Sequence, residues 1–355
     1  MRFAKWCGRF KFIRAYSCSF VVSKGNPMKR VLITGVAGFI GSHLAEALCG
    51  RGDRVTGLDS FNDYYDPAIK RRNLAGLCGC ETFHLHERDI CDEAALRLVF
   101  EEARPDVVVH LAARAGVRPS LRDPNLYHRV NVIGSQHILD VCRDFKPSHL
   151  VFASSSSVYG GSTDVPFRET DPVMRPISPY AATKRMNELQ AHVYHHVYGL
   201  RVTLLRFFTV YGPRQRPDMA IHKFTKHILE GSPIPMFGDG TTRRDYTYIE
   251  DIIQGMLSCV DTPFGYEIFN LGENHTTSLA DLIGLIEKHT GKAAFIEKHP
   301  SQPGDVTITH ADITHARTLL GYAPRFSMDE GIARFVEWYK DTQSNTGTSE
   351  SQNCC

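Results

Sequence analysis

No stretch of this chain is long and apolar enough to cross a bilayer, so the sequence supports no membrane-spanning role. Charge of one sign is also lacking. Lys and Arg number 41 against 39 Asp and Glu, a formal net charge of +2, which gives nucleic acid no reason to bind. Ten cysteines are present (Cys7, Cys18, Cys49, Cys78, Cys80, Cys91, Cys142, Cys259, Cys354, Cys355), but no C-x-x-C pair, and Cys78-Gly-Cys80 has no second pair at zinc spacing. That scatter reads as reduced thiols in a cytoplasmic protein without a bound metal. What the chain does have is size: 355 residues with 42% hydrophobic side chains suit two domains, or one large domain with a lobe.

Both ends read as lying outside the fold. Residues 1–27 carry Arg2, Lys5, Arg9, Lys11, Arg14 and Lys24 and no acid. A transit peptide has that composition. Because Met28-Lys-Arg opens the first strand directly, we read the extension as an upstream start. Thr342 to Cys355 is rich in Ser, Thr, Asn and Gln and is expected to be disordered.

The stretch from Val31 to Asp59 organises the rest. Val31 to Thr34 is apolar and β-branched, as in a buried parallel strand. Gly35-Val-Ala-Gly38-Phe39-Ile40-Gly41 follows, then a helical pattern through Leu44, Ala47 and Leu48, and a second strand ending at Asp59. Gly35 permits the tight turn, Gly38 lets backbone approach a pyrophosphate, and Gly41 packs helix on strand. The helix N-terminus offers N–H groups to the phosphates. Asp59 is placed to accept from the adenosine ribose hydroxyls and to repel a 2′-phosphate, so the cofactor is NAD rather than NADP.

Downstream, Phe61-Asn-Asp-Tyr-Tyr-Asp-Pro67 reads as a polar aromatic loop near the adenosine end. A third strand ends near Asp89-Ile90, a carboxylate with an apolar neighbour that suits adenine. Val107 to Leu111 is the fourth strand; its His110 reads as a satisfied core residue, and Ala112-Ala113 are small where a nicotinamide ribose must pass. Tyr127 to Asp144 reads as one long helix bearing Asn131 and Gly134. Leu150-Val-Phe152 is the fifth strand, ending in Ala153-Ser154-Ser155-Ser156-Ser157-Val-Tyr159-Gly160. The alternation predicts an α/β doubly wound parallel sheet, whose ligands sit at the carboxyl ends of its strands. Pro179 then opens a helix with Tyr180 and Lys184 four apart on one face. A nearby lysine cation would make the phenol a usable base.

Thr34-Gly35-x-x-Gly38-x-x-Gly41, the Ser154–Gly160 run and Tyr180-x-x-x-Lys184 resemble the extended short-chain dehydrogenase/reductase family over about residues 28–340. Asp63 to Pro67, Ala115-Gly-Val-Arg118 and Arg206 to Ala220 resemble its nucleotide-sugar 4-epimerases, closest to those acting on UDP-glucuronate. Some members carry Trp-Gly where this chain has Arg214-Gln215. The resemblance implies a Rossmann domain over 28–206 and a smaller C-terminal α/β substrate-binding domain over 207–341, with a strand near 266–272 returning to the sheet. It implies 4-epimerisation of a UDP-sugar, UDP-glucuronate to UDP-galacturonate, through a 4-keto intermediate. Tyr180 would be the base, Lys184 would hold the nicotinamide ribose and Ser155 would bond the sugar hydroxyl. Cofactor contacts would come from Gly35, Gly38, Phe39, Ile40, Gly41, Asp59, Asp89, Ile90, Leu111, Ala112, Ala113, Asn131 and Lys184. Substrate contacts would come from Arg118, Ser155, Ser156, Tyr180, Thr209, Arg216, Arg244 on the diphosphate and Asp305 on the uridine ribose. A homodimer is implied through the helices at 127–144 and 180–198. The alternatives are a UDP-glucose/UDP-galactose 4-epimerase and, less well matched, a dehydratase or decarboxylase. Those lyases keep an acid in the serine loop, where this chain has Ser156-Ser157.

Overall fold

Arg30–Thr34 forms strand β1, with Val31 to Thr34 all buried, as expected where helices cover both faces of a parallel sheet. The computed structural model describes residues 27–300 and 306–346. The expectations for the basic extension up to residue 26, for Asp305 and for 347–355 lie outside the described residues.

Helix α1 (Phe39–Arg51) ends on Gly52 at a left-handed φ of 94° and leads into β2 (Arg54–Asp59). Then come α2 (Pro67–Asn73), β3 (Phe83–Glu87), α3 (Glu93–Ala103) and β4 (Val107–His110). Short helices α4 (Val117–Arg122) and α5 (Pro124–Tyr127) precede α6 (Ser135–Phe145) and β5 (His149–Ser155). The alternation closes with α7 (Pro179–Tyr198) and β6 (Val202–Phe207). Next are β7 (Thr209–Tyr211), α8 (Ala220–Glu230), β8 (Ile234–Phe237), β9 (Arg243–Arg244), β10 (Tyr246–Tyr248) and α9 (Ile249–Asp261). The remainder is β11 (Tyr266–Leu271), β12 (Thr277–Ser278), α10 (Leu279–Thr290), β13 (Ile296–His299), α11 (Thr314–Leu320) and α12 (Met328–Thr346).

Seven strands form one sheet in the order β11-β6-β5-β4-β1-β2-β3, with every neighbouring pair parallel. This is the doubly wound sheet that the alternation predicts. The chain leaves β1 for β2 and β3 on one side, then returns to β4 on the other. The crevice at that reversal is where such sheets bind ligands. Three two-stranded pairs (β7 with β10, β9 with β12, β8 with β13) stand outside the main sheet. No helix among the described residues is long and apolar enough to cross a membrane.

Two elements differ from the sequence reading. The helix expected over Tyr127–Asp144 is interrupted, because His128–Gly134 winds as a π-helix between α5 and α6. One widened stretch shifts the helix face without changing the residue types, so the apolar pattern does not reveal it. Helix α12 also continues to Thr346, through residues that their polar composition assigns to the tail.

Beneath the carboxyl edge of the sheet lies a buried ion pair. Arg206 on β6 donates through Nε and Nη2 to Glu188 on α7 at 2.9 and 3.0 Å, with side-chain exposures of 1% and 0%. Ser154 Oγ donates to the same carboxylate at 2.7 Å. Arg206 Nη1 donates to the Tyr159 hydroxyl, which donates to Asn270 Oδ1 on β11 at 2.7 Å. Arg206→Met should therefore lose about 3–5 kcal/mol, because Glu188 stays buried and loses two of its charged hydrogen bonds. The double variant Glu188→Gln/Arg206→Met should lose clearly less. Urea unfolding of both variants checks this; equal losses would mean that the pair itself is not what is being broken.

Candidate active site

The turn from β1 to α1 is tight because its glycines leave no room for side chains. Gly35 has φ 72°, and a Cβ there would sit 2.8 Å from the Ala112 nitrogen. At Gly41 a Cβ would sit 2.3 Å from the Gly35 oxygen, so the first turn of α1 rests directly on the strand end. Gly38 is the N-cap, and α1 has neither a side-chain cap nor an acid in its first turn. A helix start left this way presents its N–H groups and the positive end of its dipole to an anion.

A cleft of about 700 Å³ opens from this turn across the ends of the strands. Of the residues expected at the cofactor, Gly35, Gly38, Phe39, Ile40, Gly41, Asp59, Asp89, Ile90, Leu111, Ala112, Ala113 and Lys184 line it. Asn131 is fully buried behind the cleft and does not line it. Its amide accepts from Arg114 N at 2.7 Å and donates to Arg114 O and Thr183 Oγ1, so it braces the loop after β4. His110 is a core residue, bonded to Thr34 Oγ1 at 2.7 Å and Ser135 Oγ at 3.0 Å. Burial pushes it down to about 3, so it is neutral.

Asp59, at the end of β2, accepts from Ala37 N at 3.1 Å and Phe61 N at 2.9 Å. Lys70 on α2, buried, faces the same carboxylate at 3.4 Å. Uncapped helix, side-chain-free turn and paired carboxylate together fit the pyrophosphate and adenosine ribose of NAD. The sequence reading missed Lys70, since nothing in its spacing from Asp59 marks it. The aromatic loop also differs from expectation. It does not stay at the adenosine end: the Tyr64 hydroxyl donates to Ala115 O at 2.7 Å, beyond the end of β4, and Tyr127 donates to the same oxygen.

Further along the cleft, Ser155, Ser156, Tyr180, Thr209, Arg216 and Arg244 all line the wall. Arg118 does not. It is exposed on α4, with its guanidinium 4.8 Å above the Phe237 ring. Ser178 caps α7 by accepting from Ala181 N at 3.1 Å, which sets Tyr180 and Lys184 in the first turns at the end of β5. Burial raises Tyr180 above the usual phenol range, while a hydrogen bond from Ser155 and the charge of Arg216 act against that rise. Ser155 Oγ accepts Ser157 N–H at 3.2 Å, which leaves its own proton for the phenol oxygen. Lys184 Nζ donates to Ala153 O at 2.8 Å, and burial draws it down to about 8. Arg216, whose charge also acts on Tyr180, donates through Nε and Nη2 to Asp218 at 2.8 and 2.9 Å and lies 5.4 Å over the Tyr64 ring. Arg244 donates to Arg243 O, and no group of three or more metal-ligating side chains occurs among the described residues.

Residues 31–272 match the model of the NAD dependent epimerase/dehydratase family. The chain is 45% identical over 311 residues to a UDP-glucuronate 4-epimerase of Thermodesulfobacterium geofontis, covering 87% of this chain and 96% of the relative. Its fold is similar to that of the UDP-glucuronic acid 4-epimerase of Bacillus cereus in complex with UDP-glucuronic acid and NAD (TM-score 0.83, 38% identity, 88% of this chain and 99% of the other). A similar likeness holds to a UDP-glucose 4-epimerase of Thermotoga maritima with UDP-glucose (TM-score 0.82, 33% identity, 88% and 99%).

The Asp59–Lys70 pair makes cofactor choice testable. Asp59→Ala removes the repelling carboxylate and leaves Lys70 beside the adenosine ribose. Preference for NAD over NADP should shrink at least tenfold, because a hydrogen bond to a charged group is worth about 1.5–3 kcal/mol. Calorimetric titration of cofactor-free protein with each dinucleotide reads the ratio, and an unchanged ratio would place the specificity elsewhere.

Proposed function

The chain belongs to the NAD dependent epimerase/dehydratase family, and from that premise we propose that it interconverts UDP-glucuronate and UDP-galacturonate by oxidation and re-reduction at C4. The observation that carries this reading is the meeting of Tyr180, Ser155 and a guanidinium, Arg216, in the cleft that begins at the glycine turn. NAD bound along that turn supplies the acceptor and donor of the C4 hydride. Tyr180 takes the proton of the sugar 4-hydroxyl and later returns it, and Ser155 orients that hydroxyl with its own hydrogen bond. Lys184, whose Nζ donates to Ala153 O, would hold the nicotinamide ribose. Arg244 serves the diphosphate.

A ring that must turn over cannot be clamped through one rigid bidentate bond. Donors reachable in two orientations answer that need, and Ser155, Ser156, Thr209 and Arg216 line the same wall. Ser156 and Ser157 stand where a dehydratase needs an acid, and neither can serve as one. One observation favours UDP-glucose/UDP-galactose as a second reading. Asp218 already engages two donors of Arg216, so the guanidinium needs no sugar carboxylate to satisfy it.

Incubation with UDP-glucuronate and with UDP-glucose, with products resolved by NMR, separates the two readings. Tyr180→Phe should cost about 10²–10⁴-fold in turnover while nucleotide-sugar binding persists. Arg216→Ala and Thr209→Val should each lower kcat/KM for UDP-glucuronate at least tenfold, as expected for losing a hydrogen bond to a charged group worth about 1.5–3 kcal/mol. Turnover of UDP-glucose should change much less. Equal losses on both substrates would sink the glucuronate assignment.

A homodimer through α7 is part of the same reading. Met186, Leu189, Val193 and Val197 are exposed and recur at helical spacing along one face of α7. Such a stripe suits helix-on-helix association. Val193→Glu should yield a monomer by light scattering at micromolar protein. A parent protein already monomeric there would refute the dimer.

A further inference from the structure

The turn between β7 and α8 carries the departure noted in the sequence, Arg214-Gln215, and holds an unusual backbone. Arg214 has φ 64°, the left-handed region that side chains enter at a cost. Something must hold it there. Its Nη2 donates to both carboxylate oxygens of Glu46 at 2.8 Å, across 168 positions of sequence. Glu46 belongs to α1, the helix whose first turn is the glycine turn. His43, one turn earlier on α1, adds no competing charge: burial and then the Arg214 cation push it down to about 3.

The next residue ties the turn onto itself. Gln215 N donates to Gly212 O at 3.1 Å, and its Nε2 donates to Val210 O at 3.1 Å. Arg216 follows at once, over the Tyr64 ring and in the cleft with Tyr180. The outer end of the turn is thus fastened to the helix of the dinucleotide site, while its inner end carries the cation of the sugar pocket.

We propose that the Arg214–Glu46 pair is a positioning clasp, which holds the 212–216 turn against α1 and thereby fixes where the Arg216 guanidinium stands relative to the Tyr180 hydroxyl. The inference rests on the reading of Tyr180 as the base and adds what sets its surroundings. Those surroundings come from several elements: Ser155 from β5, Tyr64 from the loop after β2, Tyr127 from α5, Lys184 from the next turn of α7, and Arg216. Of these, Arg216 alone lies on the clasped turn, where Asp218 also engages its guanidinium. A clasp of this kind links the place of α1 to the charge at the base without touching substrate or cofactor.

The test follows the Tyr180 phenol directly, by ultraviolet difference titration of the purified protein against a Tyr180→Phe reference. An Arg216 cation that withdraws favours the phenolate less. In Arg214→Ala and Glu46→Gln the midpoint should therefore move to higher pH, by roughly half a unit to one unit for a unit charge displaced a few ångströms. In the same variants kcat/KM for UDP-glucuronate should fall roughly tenfold or more, as small misplacements commonly do. The exchange Glu46→Arg/Arg214→Glu should recover part of both. If Arg214→Ala does not fold, Glu46→Ala, which removes both acceptors and leaves the turn's own residues unchanged, decides the question. An unmoved Tyr180 midpoint with only a lowered unfolding midpoint would overturn the clasp and leave a stability contact. A moved midpoint in a protein that epimerises no UDP-sugar would keep the clasp and overturn the functional reading instead.

Discussion

A carboxylate with no water around it has to be answered donor by donor, and Glu188 is such a group. Burial works against its charge, but the donors of Arg206, Ser154 and Arg185 outweigh that and hold it below the usual carboxylate range. Because Glu188 sits one turn beyond Lys184 on α7, its charge also favours the lysine cation, against the burial that draws Lys184 down. The same carboxylate therefore fastens β5 to β6 through Ser154 and Arg206 while it keeps the lysine of the site from losing its proton more easily still. Tyr159 and Asn270 extend the network to β11. The serines and the tyrosine stand on a floor whose geometry this one charge dictates.

Charge in the cleft is divided by position. Lys184 spends its ammonium on the Ala153 carbonyl, at the end of the strand that carries the serines. Arg216 supplies the field at the phenol, and Lys70 supplies it at Asp59. Each cation is held by a different element, α7, the turn after β7 and α2. Aromatic rings fill the space between: Tyr64 lies under Arg216, and its hydroxyl shares the Ala115 carbonyl with that of Tyr127.

What could be read from the sequence is what depends on local pattern. Strand, glycine turn, helix, strand and acid follow one another within a short stretch, and each residue there acts through its own backbone or its immediate neighbour. Tyr180 and Lys184 are legible for the same reason, sharing one helix face. Long-range partners are not legible. Lys70 reaches Asp59 only because α2 folds back over β2, and Tyr64 reaches the far side of the cleft because its loop crosses the reversal between β1 and β4. Arg118 has the charge expected of a substrate contact, but on α4 it lies over the Phe237 ring and does not line the cleft. Asn131 is buried because a π-helical stretch, invisible to periodicity, rotates it inward.

The seventh strand of the sheet has consequences for how the polypeptide is made. β11 lies beside β6, yet 64 positions of chain separate their facing residues; Leu271 (271 − 207 = 64) is the partner of Phe207 across that gap. During synthesis, β6 leaves the ribosome as a bare edge with Arg206 on it, and its hydrogen-bonding partner follows only after the turn, the small strand pairs and α9. Closing so long a loop is slow relative to local helix formation, and an unpaired, apolar edge is what neighbouring chains stick to in the meantime. The sheet that houses the cleft is thus completed by a strand from the C-terminal half of the chain, and its last edge stays open until that strand arrives.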